Sequence, residues 1–122
     1  MLPPTLRENH RYVVFEVISK KDIAFSGIVE NVWKASLALF GDAGTSEMSL
    51  WVPGNLYDAS KKKGIIRTNH FGVEKLRAAI ASIREINGEP VVFVILGVTG
   101  TIRSAKNKFL GIRDLKDYAG KR

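Results

Sequence analysis

Histidine, cysteine and paired carboxylates are the side chains that most often do chemistry in a small domain, and this chain is poor in all three. It has no cysteine, which removes thiolate nucleophiles, thiolate metal sites and disulfides. Its two histidines, His10 and His70, are far apart in the chain, and its Asp and Glu residues stand singly, with no Asp-x-Asp pair. Cleaving a phosphoester needs a carboxylate cluster for metal ions, a histidine pair, or an arginine in a phosphate-cradling loop. A His10–His70 pair exists only if the fold joins the two; a solvated or capping role for each is the simpler expectation. No metal or cofactor is expected on the protein itself.

What the chain does offer is a turn suited to anions. The stretch GVTGTIRSAKNKFL, residues 97–110, follows the apolar run VVFVIL and carries Arg103, Lys106 and Lys108. A strand running into a helix at Thr99-Gly100-Thr101 presents unpaired backbone N–H groups and the positive end of the helix dipole, with two hydroxyls as extra donors. The turn lacks the GK[ST] ending of a P-loop and the GxGxxG of a dinucleotide fold, so it is no nucleotide fingerprint. Helix capping by Thr99 or Thr101 accounts for the same threonines without a ligand, and the sequence leaves both readings open.

Further cations lie at Lys61, Lys62, Lys63 and Arg67. The three lysines are either a solvated loop tip or phosphate contacts, whereas Arg67, within a strand, needs a reason to be on one of its faces. Charge is segregated along the chain. Residues 1–60 hold five Lys/Arg against seven Asp/Glu, a net of −2, and residues 61–122 hold fourteen against five, a net of +9, within an overall +7. A basic half of this kind is the footprint of a polyanion partner, and nucleic acid is the commonest one. Sheet-face RNA readers stack bases on aromatics that follow a [KR]-G pair in their third strand. Here Lys63-Gly64 is followed by Ile65-Ile66, so phosphate contact is expected and base stacking on the sheet is not.

The elements that must carry these groups follow from periodicity. Residues 11–19, rich in β-branched and aromatic side chains, read as a strand. Residues 24–40 place Phe25, Ile28, Val29, Val32, Ser36 and Leu39 at helical spacing, with Gly41 to end the helix. Residues 46–52 alternate up to Pro53-Gly54 and read as a second strand, residues 64–69 as a third. Val73, Leu76, Ile80 and Ile83 mark a second helix closed by Asn87-Gly88; residues 90–98 are the most strand-like run, and residues 102–110 a short last helix. The order βαββαβ plus a helix predicts an α+β, ferredoxin-like split βαβ fold. This is a two-layer sandwich of two helices on a four-stranded antiparallel sheet, with an extra C-terminal helix.

One domain is expected over the 122 residues, with residues 112–122 a disordered basic tail. The longest apolar stretch, VVFVILGV, falls far short of the roughly 18 residues that span a bilayer, and the opening MLPPTLRENH lacks the plan of a secretion signal. A cytoplasmic protein with no membrane partner is expected.

Taken together, LPPTLRENHRYVVFEVIS, LALFGDAG, GIIRTNHFGVEKLRAAIASI and LGVTGTIRSAKNKFL resemble, in matching order over residues 2–111, the archaeal ribonuclease P protein component 2 family. That family is related to a small protein subunit of the eukaryotic nuclear enzyme. The resemblance implies a non-catalytic subunit of the ribonucleoprotein endonuclease that removes 5′ leaders from precursor tRNA. The RNA then carries the catalytic magnesium, and the protein supports the RNA's catalytic domain. The implied partners are the ribonuclease P RNA, protein component 3 in a two-plus-two heterotetramer, the other holoenzyme subunits and, indirectly, precursor tRNA. Component 3 requires apolar surface, for which Leu50, Trp51, Val52, Leu56 and Tyr57 are candidates, with simple burial as the alternative. Charge and position, not the resemblance, put forward Lys61, Lys62, Lys63, Arg67, Thr99, Thr101, Arg103, Lys106 and Lys108 as RNA contacts. Neutralising crowded phosphates there lowers repulsion and the magnesium required.

Two other classes fit the same fold. An acylphosphatase-like enzyme wants an arginine in the turn after the first strand, and SKKDIAFSG has none. A protein-binding regulator would leave the basic half without a role.

Overall fold

In the computed structural model, which describes residues 9–107, the apolar run after His10 forms the central strand. β1 (His10–Ile18) places Val13, Phe15 and Val17 on one face and Tyr12, Val14 and Glu16 on the other. It pairs antiparallel with β2 (Lys63–Asn69) on one side and β5 (Val92–Thr99) on the other. The α+β fold thus centres on a sheet of order β2-β1-β5.

Two helices, α1 (Phe25–Glu47) and α2 (Val73–Ala81), cover the inner face, where Val13, Phe15, Val17 and Ile66 share a core with Ile28, Val32, Leu76 and Ile80. Phe15 lies 5.6 Å from Phe93 and 6.3 Å from Tyr57, ring centre to ring centre. It also crosses its strand partner Gly64, where an added Cβ would meet the Phe15 ring at 2.8 Å. Glycine at 64 therefore makes room for the largest inner side chain. β5 keeps its phase with a bulge: Val13 faces Val98 and Val14 faces Gly97, but Phe15 faces Ile95. The surplus residue lets Ile95 and Val98, three apart, both pack inward. On the outer face Leu96 joins Tyr12, Val14, Leu56 and Ile65 beneath α3 (Ile102–Ala105), which contributes Ile102 and Ala105.

The sheet has three strands, not the four expected. Residues 46–52 are not a strand, because Ser46 and Glu47 finish α1 and Ser49 has a positive φ of 53°. Only Trp51 pairs with β2: its N–H donates to Arg67 O at 2.9 Å and its carbonyl accepts from Arg67 N–H at 2.7 Å. Pro53, which has no N–H to give, and a 3-10 turn at Gly54–Leu56 lift the chain away until Asp58 N–H meets Lys63 O at 2.8 Å. The edge of β2 is thus closed by irregular backbone, with Asn69 N–H and the Thr68 hydroxyl both donating to Met48 O, at 2.9 and 2.7 Å.

Gly41 does break α1, with φ 71° and ψ −177°, but helical turns resume as far as Glu47. A hydrogen bond between the Ser36 and Thr45 hydroxyls, 2.9 Å, ties the added segment to the first. Leu39, expected on the buried stripe, is 49% exposed. The inward line runs Val32, Ser36, Phe40, and steps of four residues drift past Leu39. α2 ends at Ala81, earlier than expected, with Ser82 Oγ donating to Ala79 O at 2.7 Å. Asn87 and Gly88, at φ 52° and 85°, form the tight turn between β3 (Glu85–Ile86) and β4 (Glu89–Pro90) instead of closing the helix. Lys108, the end of the expected last helix and the 112–122 tail lie outside the described residues. Among the described residues, no helix is long and apolar enough to cross a membrane.

Candidate nucleic-acid interface

Because β1 pairs on both sides, opposed residues form lateral rows on the outer face. One row runs Trp51, Arg67, Tyr12, Thr99. The Arg67 guanidinium carbon lies 4.5 Å from the Trp51 ring centre, within range of a cation–π contact, while Trp51 is 42% exposed. Arg67 Nε is buried with no hydrogen-bond partner among the described residues. The next row, Ile65, Val14 and Gly97, is apolar, and the third sets Lys63 opposite Glu16.

Above these rows sits the turn into α3. Thr101 is the N-cap: its Oγ1 accepts from Ser104 N–H at 3.1 Å. The Thr99 hydroxyl donates to Thr101 O at 2.8 Å. Both threonines are engaged within the turn, so local structure by itself accounts for them. Arg103 is exposed and Lys106 half-buried on α3. Since Ile102 and Ala105 pack with Tyr12, Val14 and Leu96, α3 brings these two cations to the face that carries Arg67.

The three lysines before β2 diverge. Asp58 Oδ1 gathers Ser60 Oγ at 2.7 Å, Ser60 N–H at 3.0 Å and Lys61 N–H at 3.3 Å, and so builds the turn. The Ser60 hydroxyl, then the Lys61 amide, hold the Asp58 carboxyl below the usual aspartate value. Lys62, at φ 56°, donates from Nζ to Ser19 O at 2.6 Å and to Ser19 Oγ at 3.2 Å, which ties the turn to the end of β1. Lys63 faces Glu16, and Lys61 is exposed on the turn.

Most of the residues offered for a protein partner belong to the interior. Leu50 and Leu56 are each 8% exposed, one in the inner core and one in the outer. Val52 and Tyr57 are half-buried against the inner core, and the Tyr57 hydroxyl donates to Ile23 O at 2.6 Å. Burial, then the nearby Asp22 and Asp58 charges, push the Tyr57 phenol above its ordinary value. Of the five, Trp51 alone presents a large exposed side chain.

The fold does bring the two histidine-bearing segments together, with His10 beside Asn69 and Asn9 O accepting from His70 N–H at 2.8 Å. The His70 ring packs on Phe71, centres 3.8 Å apart. A hollow of about 370 Å³ nearby is lined by Glu47, Met48, Asn69, Phe71, Gly72 and Lys75, with a single carboxylate. Among the described residues, no group of three or more His, Asp or Glu side chains could hold a metal ion. The outer face instead offers guanidinium, ammonium and aromatic groups, which is binding chemistry. Sequence reasoning missed the Trp51–Arg67–Tyr12 row because it sought aromatics within one strand. The pairing that assembles the row leaves no mark in local sequence.

A family model described as the Rpp14/Pop5 family matches residues 11–110. Ribonuclease P protein component 2 of Pyrococcus horikoshii is 41% identical over 109 residues, covering 89% of each chain. Ribonuclease P protein component 2 of Methanocaldococcus jannaschii is 40% identical over 117 residues, 96% of this chain and 84% of the relative. A chain in the cryo-EM structure of yeast ribonuclease MRP shares the fold at a TM-score of 0.61 and 15% identity, covering 98% of this chain and 97% of that one. With a family match across most of its length and relatives at 40–41% identity along it, the chain belongs to the Rpp14/Pop5 family.

Proposed function

We propose that this chain is the protein component 2 subunit of a ribonuclease P, the ribonucleoprotein that removes 5′ leaders from precursor tRNA, and that it serves the RNA without doing the chemistry. The observation that carries this reading is the near end-to-end similarity to relatives named ribonuclease P protein component 2. The gathering of Arg67, Arg103 and Lys106 on one face supports a role in which that face meets RNA. Folding an RNA around an active site crowds phosphates, and cations placed among them replace bound counterions. The effect is a compact catalytic domain at lower magnesium, the magnesium itself residing with the RNA.

The chain sits in a ribonucleoprotein with the RNA and other protein subunits. A two-plus-two pairing with component 3 and a cytoplasmic location are part of the proposal. Leu50 and Leu56 are withdrawn from the docking surface because they are buried. The Trp51 and Asp58 bridges favour treating residues 48–58 as an interrupted fourth strand of a split βαβ fold. Reconstitution tests the functional reading. Adding this chain and component 3 to the cognate RNA should accelerate precursor-tRNA cleavage and lower the magnesium it needs; an unchanged rate and magnesium curve would overturn it.

A further inference from the structure

Resting on the reading that the outer face meets RNA, we infer that Trp51 and Arg67 form a stacking site for one unpaired nucleobase and its flanking phosphate. The two residues are incomplete in opposite ways. The guanidinium sits over the indole, yet Trp51 keeps 42% of its surface in solvent, an apolar ring without a cover. Arg67 Nε is buried with no acceptor among the described residues, a charged donor without a partner. A nucleotide supplies a flat π face for the indole and an anionic oxygen beside the half-buried Arg67 side chain, balancing its charge through space without bonding the enclosed Nε. An aliphatic side chain would supply neither the charge nor the stack, and an acidic one only the charge.

The platform is also held in advance. Trp51 and Arg67 exchange both backbone hydrogen bonds of the isolated bridge, at 2.9 and 2.7 Å, so their side chains leave a fixed stretch of backbone. Tyr12 stands next in the row, and Arg103 and Lys106 belong to α3, which packs on the same side of the sheet through Ile102 and Ala105. Base faces are free only in single strands, loops and bulges, so the site takes unpaired RNA and rejects duplex. Stacking on an aromatic tolerates any base, so sequence preference is weak.

The full chain carries two tryptophans, and Trp33→Phe leaves Trp51 as the sole emitter. Titration of that variant with a mixed-sequence RNA decanucleotide should quench the indole, and the same sequence as a duplex should not. Trp51→Ala should weaken single-strand binding about ten- to hundredfold, with most of the loss recovered in Trp51→Phe. The log–log salt slope should hold in Trp51→Ala and shrink by about one in Arg67→Ala. Emission that ignores the single strand, or responds equally to duplex, in a Trp33→Phe variant whose circular dichroism and thermal midpoint match the wild type overturns the site. Quenching that appears only on adding component 3 assigns Trp51 to a protein contact and overturns it too. If the wild-type chain stimulates reconstituted cleavage and Trp51→Ala stimulates it equally, the stacking site fails and the subunit reading stands. If the wild-type chain gives no stimulation, it is the subunit reading that fails.

Discussion

Val13, Phe15 and Val17 alternate along β1 with Tyr12, Val14 and Glu16, yet the two sets meet different surroundings. The inner set is sealed beneath two helices, with aromatic rings interleaved across three segments of chain. The outer set is covered only in the middle, where α3 shields Val14; toward Trp51 it ends in a half-exposed indole and an arginine with an unmet donor. One face stores folding energy, and the other spends part of its surface on groups that folding does not satisfy. The difference separates what keeps the chain folded from what it presents to a partner.

Substitutions can break that comparison or sharpen it. Phe15→Ala removes the ring at the centre of the inner face and should cost about 3–5 kcal/mol, a large part of a small domain's stability, seen as an early midpoint in urea. Gly64→Ala attacks the same ring from the neighbouring strand and should cost about 1–3 kcal/mol by overpacking. Phe15→Leu in that background should return part of the loss, and a purely additive pair would show that the contact is not the cause. Thr101→Ala should cost about 0.5–2 kcal/mol confined to α3, read as faster amide exchange at Ser104 and Ala105 while β1 stays protected.

Smaller still, Arg103→Ala with Lys106→Ala should move stability by no more than about 0.5 kcal/mol each while lowering RNA affinity and its salt slope. A double variant that unfolds would merge the two faces and defeat the contrast. The least effect belongs to Asp58. Its carboxyl is held below the ordinary 3.8, so the fold favours the charged form; that contribution is present above 3.8 and lost as pH falls through the lowered value. Asp58→Asn should therefore be slightly less stable than wild type at pH 6, and thermal midpoints of the two should converge in strong acid.

Local periodicity revealed most of the scaffold. The stripe Val73, Leu76, Ile80 is read correctly because a helix packed on one side writes its contacts into its own spacing; Ile83 is buried as expected but lies past the end of α2, and β1 announces itself through its β-branched run. Two signals were ambiguous at short range. Asn-Gly ends helices and turns hairpins alike, and only the early stop of α2 at Ala81 decides between them. Alternation in residues 46–52 suggests a strand, but the positive φ at Ser49 and the missing donor of Pro53 leave one bridge. Of the candidate site, the cations were legible as composition. Their arrangement was not: consecutive Lys61, Lys62 and Lys63 separate in a turn, whereas Trp51, Arg67 and Tyr12 are brought abreast by register.

The bulge between Val14 and Phe15 decides something that no side chain does. A straight ladder from Ile95 would bring Val98 opposite Tyr12 and move Thr99 to the helix-covered side. The turn that follows would then leave the sheet half a repeat out of phase, and α3 with its cations would start from the wrong side. Which surface of this protein faces the outside world with positive charge is thus a matter of chain count: closing the bulge while keeping all its residues would preserve every ionisable group and misdirect those that follow it.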